Sequence, residues 1–312
     1  MAHSAQKTIL STSDVARLFS VTETTVKRWA DEGTLKCQKT PGGHRKFAIR
    51  NVVDFAEQNH FEPAGALEIS GGEDPGSRIQ VAVLGRDFPA LAAAYLERAL
   101  SSEGSGLFPF LSYLYQHRIQ LWEIYDRVIR PAMYEIGELW ARGEIGIHHE
   151  HGASYETLEA LAMLQLQIRI KPPSGHTVVC ATLGDELHEI GLRCVAYLFE
   201  SEGWGLHYLG SRIPSDAVRA AVLRRKPGIV CLSSTYTAAG DLGKELGGIA
   251  DAAGSVGAVV LAGGNLAGSI DRKNGIIETS HNSAQNLLAY IHAFDRTPGD
   301  RPGGDRKSAA HS

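Results

Sequence analysis

The feature that most constrains the fold is an alternation in the C-terminal half. Short apolar runs stand at 177–183 (TVVCATL), 205–210 (GLHYLG), 228–234 (GIVCLSS), 258–264 (AVVLAGG) and 275–279 (GIIET). Helical stretches separate and follow them at 189–202, 215–226, 240–253 and 283–294. Strands joined by helices lie parallel, because a parallel pair needs a crossover of roughly a dozen residues, and such sheets are covered on both faces. Five units of this kind predict a Rossmann-like (flavodoxin-like), doubly wound domain over residues 174–296. A ligand is expected beyond the carboxyl ends of its strands.

Residues 80–168 read differently, with helical periodicity almost throughout. Examples are FPALAAAYLERAL (88–100), LFPFLSYLYQHRIQLWEIYDRVI (107–129) and YETLEALAMLQLQIRI (155–170). Pro172-Pro173 closes the block, so residues 79–173 are expected to form a helical bundle. Ahead of it, EPAGALEISGGEDPGS (62–77) is rich in Gly, Pro, Ser and acid, and residues 61–78 read as a linker. At the other end, residues 297–312 carry almost no large apolar side chain and are expected to be disordered.

A chain of 312 residues has room for these domains. No run approaches the ~18 consecutive apolar residues of a membrane span, and MAHSAQKTIL has no apolar signal core, so a cytoplasmic protein is expected. Cys37, Cys180, Cys194 and Cys231 are scattered without a CxxC pair, which speaks against a disulfide framework and a zinc site. The net charge of −4 excludes a general coat for nucleic acid. Yet residues 9–50 hold eight basic side chains against four acidic ones, a small basic module on a larger acidic body. A phosphate backbone attracts such a footprint.

That module, residues 1–60, contains STSDVARLFSVTETTVKRWADEGTLKCQKTPGGHRKF. Ser13-Asp14 is expected to cap a first helix with Val15, Leu18 and Phe19 on one face. Ser20-Val21-Thr22 makes a tight turn, Thr22 caps a second helix bearing Val26 and Trp29, and Gly33 ends it. Two short helices so joined form a helix-turn-helix whose second helix enters the major groove of double-stranded DNA. Thr24, Thr25, Lys27 and Arg28 then face outward, able to reach phosphates and base edges. The segment Thr40–Phe47 resembles the wing of the MerR family. Paired glycines permit a tight hairpin there, with His44, Arg45 and Lys46 expected at its tip beside the phosphates.

Asp185-Glu186-Leu187-His188-Glu189-Ile190-Gly191 falls between the first strand and its helix, on the expected ligand edge. Glu186 can accept a hydrogen bond from one ring nitrogen of His188 and leave the other for a metal. Gly191 lets a bulky group approach the backbone. This resembles the cobalamin-binding motif in which Asp or Glu, one residue, His, two residues and Gly carry the lower axial ligand of cobalt. The resemblance extends to Ser233-Ser234-Thr235 at the end of the third strand and Gly263-Gly264 at the end of the fourth. In that family these elements line the slot for the nucleotide tail. Thr235 stands where the family often has Leu.

Trp140, followed after nine residues by Glu150-His151, is similar to the signature of CarH-type photoreceptors. The resemblance covers nearly the whole chain and implies a four-helix bundle capping adenosylcobalamin. Trp140 would pack against the adenosyl group, and Glu150 and His151 would hold its ribose and adenine side. It further implies a repressor on operator DNA, a homo-oligomer that is a tetramer in the dark and smaller in light, and no catalytic residues. The chain departs from the pattern at Ala141, where the best-known members carry a His that becomes the upper cobalt ligand after light. Three readings stay open: water or another of the nearby histidines takes that position, the photoproduct is less persistent, or the protein senses cobalamin without light. The His148-His149-Glu150-His151 cluster lacks the further ligand pair of a zinc site. A cobalamin-dependent mutase or methyltransferase would need a substrate barrel, for which 312 residues in this order leave no room.

Overall fold

The computed structural model describes residues 9–59, 61, 75–101, 106–184, 186–234, 241–264, 276–278 and 283–296. Asp185, Thr235 and the expected tail 297–312 lie outside the described residues, as does most of the expected linker.

The N-terminal unit is built from β1 (Ile9–Ser11), α1 (Thr12–Leu18), α2 (Glu23–Asp31), β2 (Gln38–Lys39), β3 (Arg45–Ala48) and α3 (Ile49–Asn59). The three strands form an antiparallel sheet in the order β1-β3-β2. The first helix is capped two residues earlier than expected. Ser11 Oγ accepts the Asp14 N–H at 3.2 Å and Asp14 returns the bond to the Ser11 N–H at 2.9 Å. This reciprocal pairing satisfies two donors at once, which Ser13 does not do. Val15, Leu18 and Phe19 are buried with Val26, and Trp29 packs among Phe19, Phe55 and Phe61. Thr22 caps α2 through the Thr25 N–H at 3.2 Å, and Gly33 takes a φ of +75°, which lets the chain leave the helix without a Cβ penalty.

Helix α4 (Pro75–Leu84) begins inside the stretch read as linker. Its Val81 and Leu84 join the N-terminal core, while Ala82 and Val83 join that of the bundle. The bundle itself comprises α5 (Phe88–Ala99), α6 (Leu107–Gln116), a long broken helix and α9 (Ile147–Gln165). The broken helix runs from α7 (Leu121–Glu123) through a π-helical turn (Ile124–Ile129) into α8 (Arg130–Ala141). The periodicity at 107–129 reads as one helix, but Arg118 takes a φ of +61° and ends it. Apolar side chains on both sides of the break still face the core, so periodicity alone conceals it. The last helix starts at Ile147, earlier than the apolar stripe at 155–170 suggests, and stops at Gln165.

The C-terminal unit has five parallel strands: β4 (Thr177–Thr182), β5 (Gly205–Gly210), β6 (Ile229–Ser234), β7 (Val259–Gly264) and β8 (Ile276–Glu278). Their order, β5-β4-β6-β7-β8, is that of a flavodoxin-like sheet. Helices α10 (Ile190–Ser201) and α13 (Ala284–Arg296) cover one face, and α11 (Ser215–Arg225) and α12 (Asp241–Ser255) the other. The first face shares its core with the bundle: Leu164 and Ile168 lie in one buried cluster with Leu198 and Phe199. Cys180, Cys194 and Cys231 are buried free thiols. No helix among the described residues is long and apolar enough to cross a membrane.

Candidate functional site

His188 lies in the loop between β4 and α10, on the carboxyl-terminal edge of the sheet. Its Nδ1 is 2.6 Å from Glu186 Oε1, and the same oxygen accepts the His188 backbone N–H at 2.8 Å. The Glu186 side chain is fully buried, whereas that of His188 is 67% exposed. A buried carboxylate gripping both the ring and the backbone favours the tautomer with hydrogen on Nδ1 and leaves Nε2, on an exposed ring, with the lone pair a metal ligand needs. The grip is itself anchored: Thr182 Oγ1 donates to the Glu186 carbonyl and accepts the Arg212 N–H, each at 3.2 Å.

The far side of the loop is held by Glu189, which the spacing of the motif did not single out. Its carboxylate accepts Tyr208 Oη at 2.9 Å, Ser211 Oγ at 2.8 Å and Arg193 Nη2 at 3.1 Å. The Arg193 guanidinium lies 3.8 Å from the centre of the Tyr208 ring. Burial raises the Glu189 carboxyl, but its hydroxyl and guanidinium donors outweigh that and hold it below the ordinary value. Only the pairing of β5 beside β4 brings Tyr208 and Ser211 to this loop, so sequence spacing carries no signal for them.

Gly191 has nothing within 4 Å of the position a Cβ would take. Ser233 sits in register with Thr182 and Gly263, and Ser234 with Gly264. The two glycines differ in kind. At Gly264 the φ is +69° and a Cβ would come within 2.3 Å of the Ser234 carbonyl oxygen, so the neighbouring strand demands glycine there. At Gly263 a Cβ would meet only the Leu232 carbonyl oxygen at 3.8 Å, and the absent side chain leaves room at the strand end. An exposed imidazole with one nitrogen fixed and bare backbone at the ends of two strands suit a corrinoid: the imidazole would supply a nitrogen ligand to cobalt, and the bare strand ends would leave room for the rest of the group.

Trp140 is in the last turn of α8 and Glu150 and His151 in the first turns of α9, on either side of a hairpin turned at Gly143, where φ is +72°. The hairpin brings the three to one end of the bundle. Trp140 is 48% exposed, a large apolar surface that the bundle core does not cover. The Glu150 carboxylate accepts Ser154 Oγ at 3.1 Å and pairs with His151 Nδ1 at 2.5 Å. Ala141 offers no ligand atom, and no group of three His, Cys, Asp or Glu able to hold a metal occurs among the described residues.

On the N-terminal unit, Thr24, Lys27 and Arg28 are exposed on α2. Thr25 is half-buried and its hydroxyl lies 3.0 Å from that of Thr22, so it serves the cap. The hairpin between β2 and β3 turns at Pro41-Gly42-Gly43, with Gly43 at a φ of +79° and the Thr40 N–H donating to the His44 carbonyl at 2.9 Å. His44 follows the tip and is exposed. Arg45 and Lys46 are not at the tip. Both are strand residues of β3, Lys46 half-buried opposite Gln38. The Arg45 guanidinium donates to both carboxylate oxygens of Asp31, at 2.7 and 2.8 Å, and its side chain is only 18% exposed. It therefore braces the hairpin against the end of α2. The hydrogen bonds from Arg45, ahead of the opposing effect of burial, hold the Asp31 carboxyl below its usual range.

Three family matches accompany this geometry. Residues 9–60 match a helix-turn-helix domain family, and residues 91–165 and 176–276 match two families each described as a B12 binding domain. The HTH-type transcriptional repressor CarH of Myxococcus xanthus is 25% identical over 231 residues, which are 70% of this chain and 76% of that protein. A methanol–corrinoid protein of Methanosarcina barkeri is 26% identical over 105 residues, 34% of this chain and 41% of that protein. Among solved structures, a monomethylamine corrinoid protein of Methanosarcina barkeri superposes with a TM-score of 0.52 at 13% identity, covering 65% of this chain and 96% of that one, a likeness of fold. This chain thus combines a helix-turn-helix domain with two B12 binding domains, and over 70% of its length it is similar to a CarH repressor.

Proposed function

We propose that this protein is a cytoplasmic transcription regulator, a repressor, that binds operator DNA through its MerR-like N-terminal unit and adenosylcobalamin through its C-terminal units. The observation that carries the reading is the fixed imidazole of His188, presented on the ligand edge of a sheet in a chain that also contains a winged helix-turn-helix. His188 would supply the nitrogen ligand to cobalt, with Glu186 fixing its ring. Gly191, Ser233, Gly263 and Gly264 are the described slot residues, and Asp185 and Thr235 belong to the same motif. Trp140, Glu150 and His151 at one end of the bundle hold the adenosyl side, where an aromatic wall excludes water and a carboxylate accepts hydrogen bonds from ribose hydroxyls.

The cofactor supplies a cobalt–carbon bond that light can break. The chain supplies the rest: a bundle end that releases its hold, and an oligomer, a tetramer in the dark, that falls to a smaller form and leaves DNA. Spectra and size-exclusion profiles of the loaded protein, in the dark and after green light, test this. The expected result is a cobalamin-coloured oligomer that binds a selected operator in the dark and is smaller and released after light. Identical profiles with cobalamin still bound would remove the light response.

A second reading is a light-independent cobalamin sensor, favoured by Ala141, which cannot supply an upper ligand. DNA affinity under red light would then differ between methyl-, hydroxo- and adenosylcobalamin, with no further change on green illumination.

A further inference from the structure

Asp126 lies in the π-helical turn between α7 and α8. The turn has a local cause: Pro131 has no N–H to give, and the Arg130 N–H reaches back five residues to the Tyr125 carbonyl. The Asp126 side chain is only 10% exposed. Its carboxylate accepts the Ala284 N–H at 2.9 Å, the Gln285 N–H at 3.0 Å and Ser283 Oγ at 3.0 Å, and pairs with Arg130 at 2.5 Å. The first three are more than 150 residues away, at the start of α13 in the other unit.

The donors at that helix start can be accounted for one by one. Ala284 and Gln285, the first two helical residues, give their N–H groups to Asp126. Asn286 gives its N–H to Ser283 Oγ at 3.3 Å, and Leu287 makes the first intrahelical bond, to the Ser283 carbonyl at 3.1 Å. The helix start thus takes its negative cap from the bundle and supplies only the third bond itself. Position gives this cap a consequence. All five strands are parallel, and Ala284 follows the end of β8 by six residues, so the start of α13 lies on the same carboxyl-terminal edge as His188, Ser233 and Gly263.

We propose that Asp126 is a positioning residue: by capping α13 it pins the helical bundle to the ligand-bearing edge of the sheet, and this hold retains adenosylcobalamin in the dark. The retention half rests on the function proposed above; the capping half does not.

The test uses the full-length chain carrying Asp126→Ala or the gentler Asp126→Asn, which keeps the side-chain volume. Hydrogen exchange of the peptide covering residues 284–287, without cobalamin, should speed up by about tenfold in Asp126→Ala and less in Asp126→Asn. In the dark, the dissociation rate of adenosylcobalamin should rise by roughly the same factor, while the spectrum of the His-ligated cofactor is unchanged. Unchanged exchange in both variants overturns the cap. Faster exchange with unaltered cofactor release overturns the hold. If the unaltered protein takes up no adenosylcobalamin, the proposed function fails and the exchange result still decides the cap.

Discussion

At the scale of single residues, the Glu186 carboxylate grips both the ring and the backbone N–H of His188, with Oε1 2.6 Å from Nδ1. His188 and Glu186 were legible because both partners sit two residues apart, and the loop geometry realises the bond that spacing allows. His188→Ala should abolish the His-ligated spectrum of bound cobalamin, and Glu186→Gln should weaken retention by about 10- to 100-fold with that spectrum shifted toward water ligation, read by equilibrium dialysis and absorption. Arg45 was not legible in the same way, since its partner Asp31 is fourteen residues off, across a hairpin. Arg45→Ala should loosen the wing and lower DNA affinity with little change in salt dependence. Lys27→Ala, which removes an exposed cation, should reduce the slope of log affinity against log salt by about one unit. The pH dependence follows from Asp31. Its carboxyl is depressed in the folded state, so its contribution is fully present above the unfolded value of about 3.9 and is lost only as pH falls through the lower folded value. Lowering the pH from 7 to 5 should therefore leave the wing docked, which a carboxyl titration of Asp31 by NMR would follow.

At the scale of elements, the strands were the most legible. Each of the five apolar runs became a strand within two residues of its expected bounds, because a strand buried on both faces must be apolar along its length. Helix limits were less so: α1 begins at the Ser11 cap, and α6 stops at Gln116, just ahead of the positive φ at Arg118, where no glycine or proline announces the break. Gly264 shows an element-level demand that a lone glycine in a sequence cannot disclose. Gly264→Ala should be destabilising by more than about 1 kcal/mol, through positive φ and the clash with the Ser234 carbonyl, and thermal unfolding would measure it. Gly263→Ala should leave stability close to unchanged and act on cofactor affinity instead, a contrast that separates strand packing from slot shape.

At the scale of the whole molecule, the bundle and the sheet share a buried core across α9, α10 and α13, and the two B12 binding domains unfold together on this reading. Phe199→Ala, at its centre, should cost about 3–5 kcal/mol and remove helical and sheet signals in one transition by circular dichroism. Removing residues 1–60 should abolish operator binding and leave cobalamin uptake intact, which gel shift and absorption would check. The sequence by itself determined the order of the domains, the parallel sheet, the helix-turn-helix and the Glu186–His188 pair, because each is written in periodicity or in residues a few positions apart. Only the tertiary structure decided that Arg45 braces rather than reaches outward, that Glu189 ties the His188 loop to β5, and that Asp126 caps a helix of the neighbouring unit. The physical reason is common to all three: a carboxylate takes whichever donors the fold brings to it, and the deciding donors, on Arg45, Ser211 and Ala284, lie far from it along the sequence.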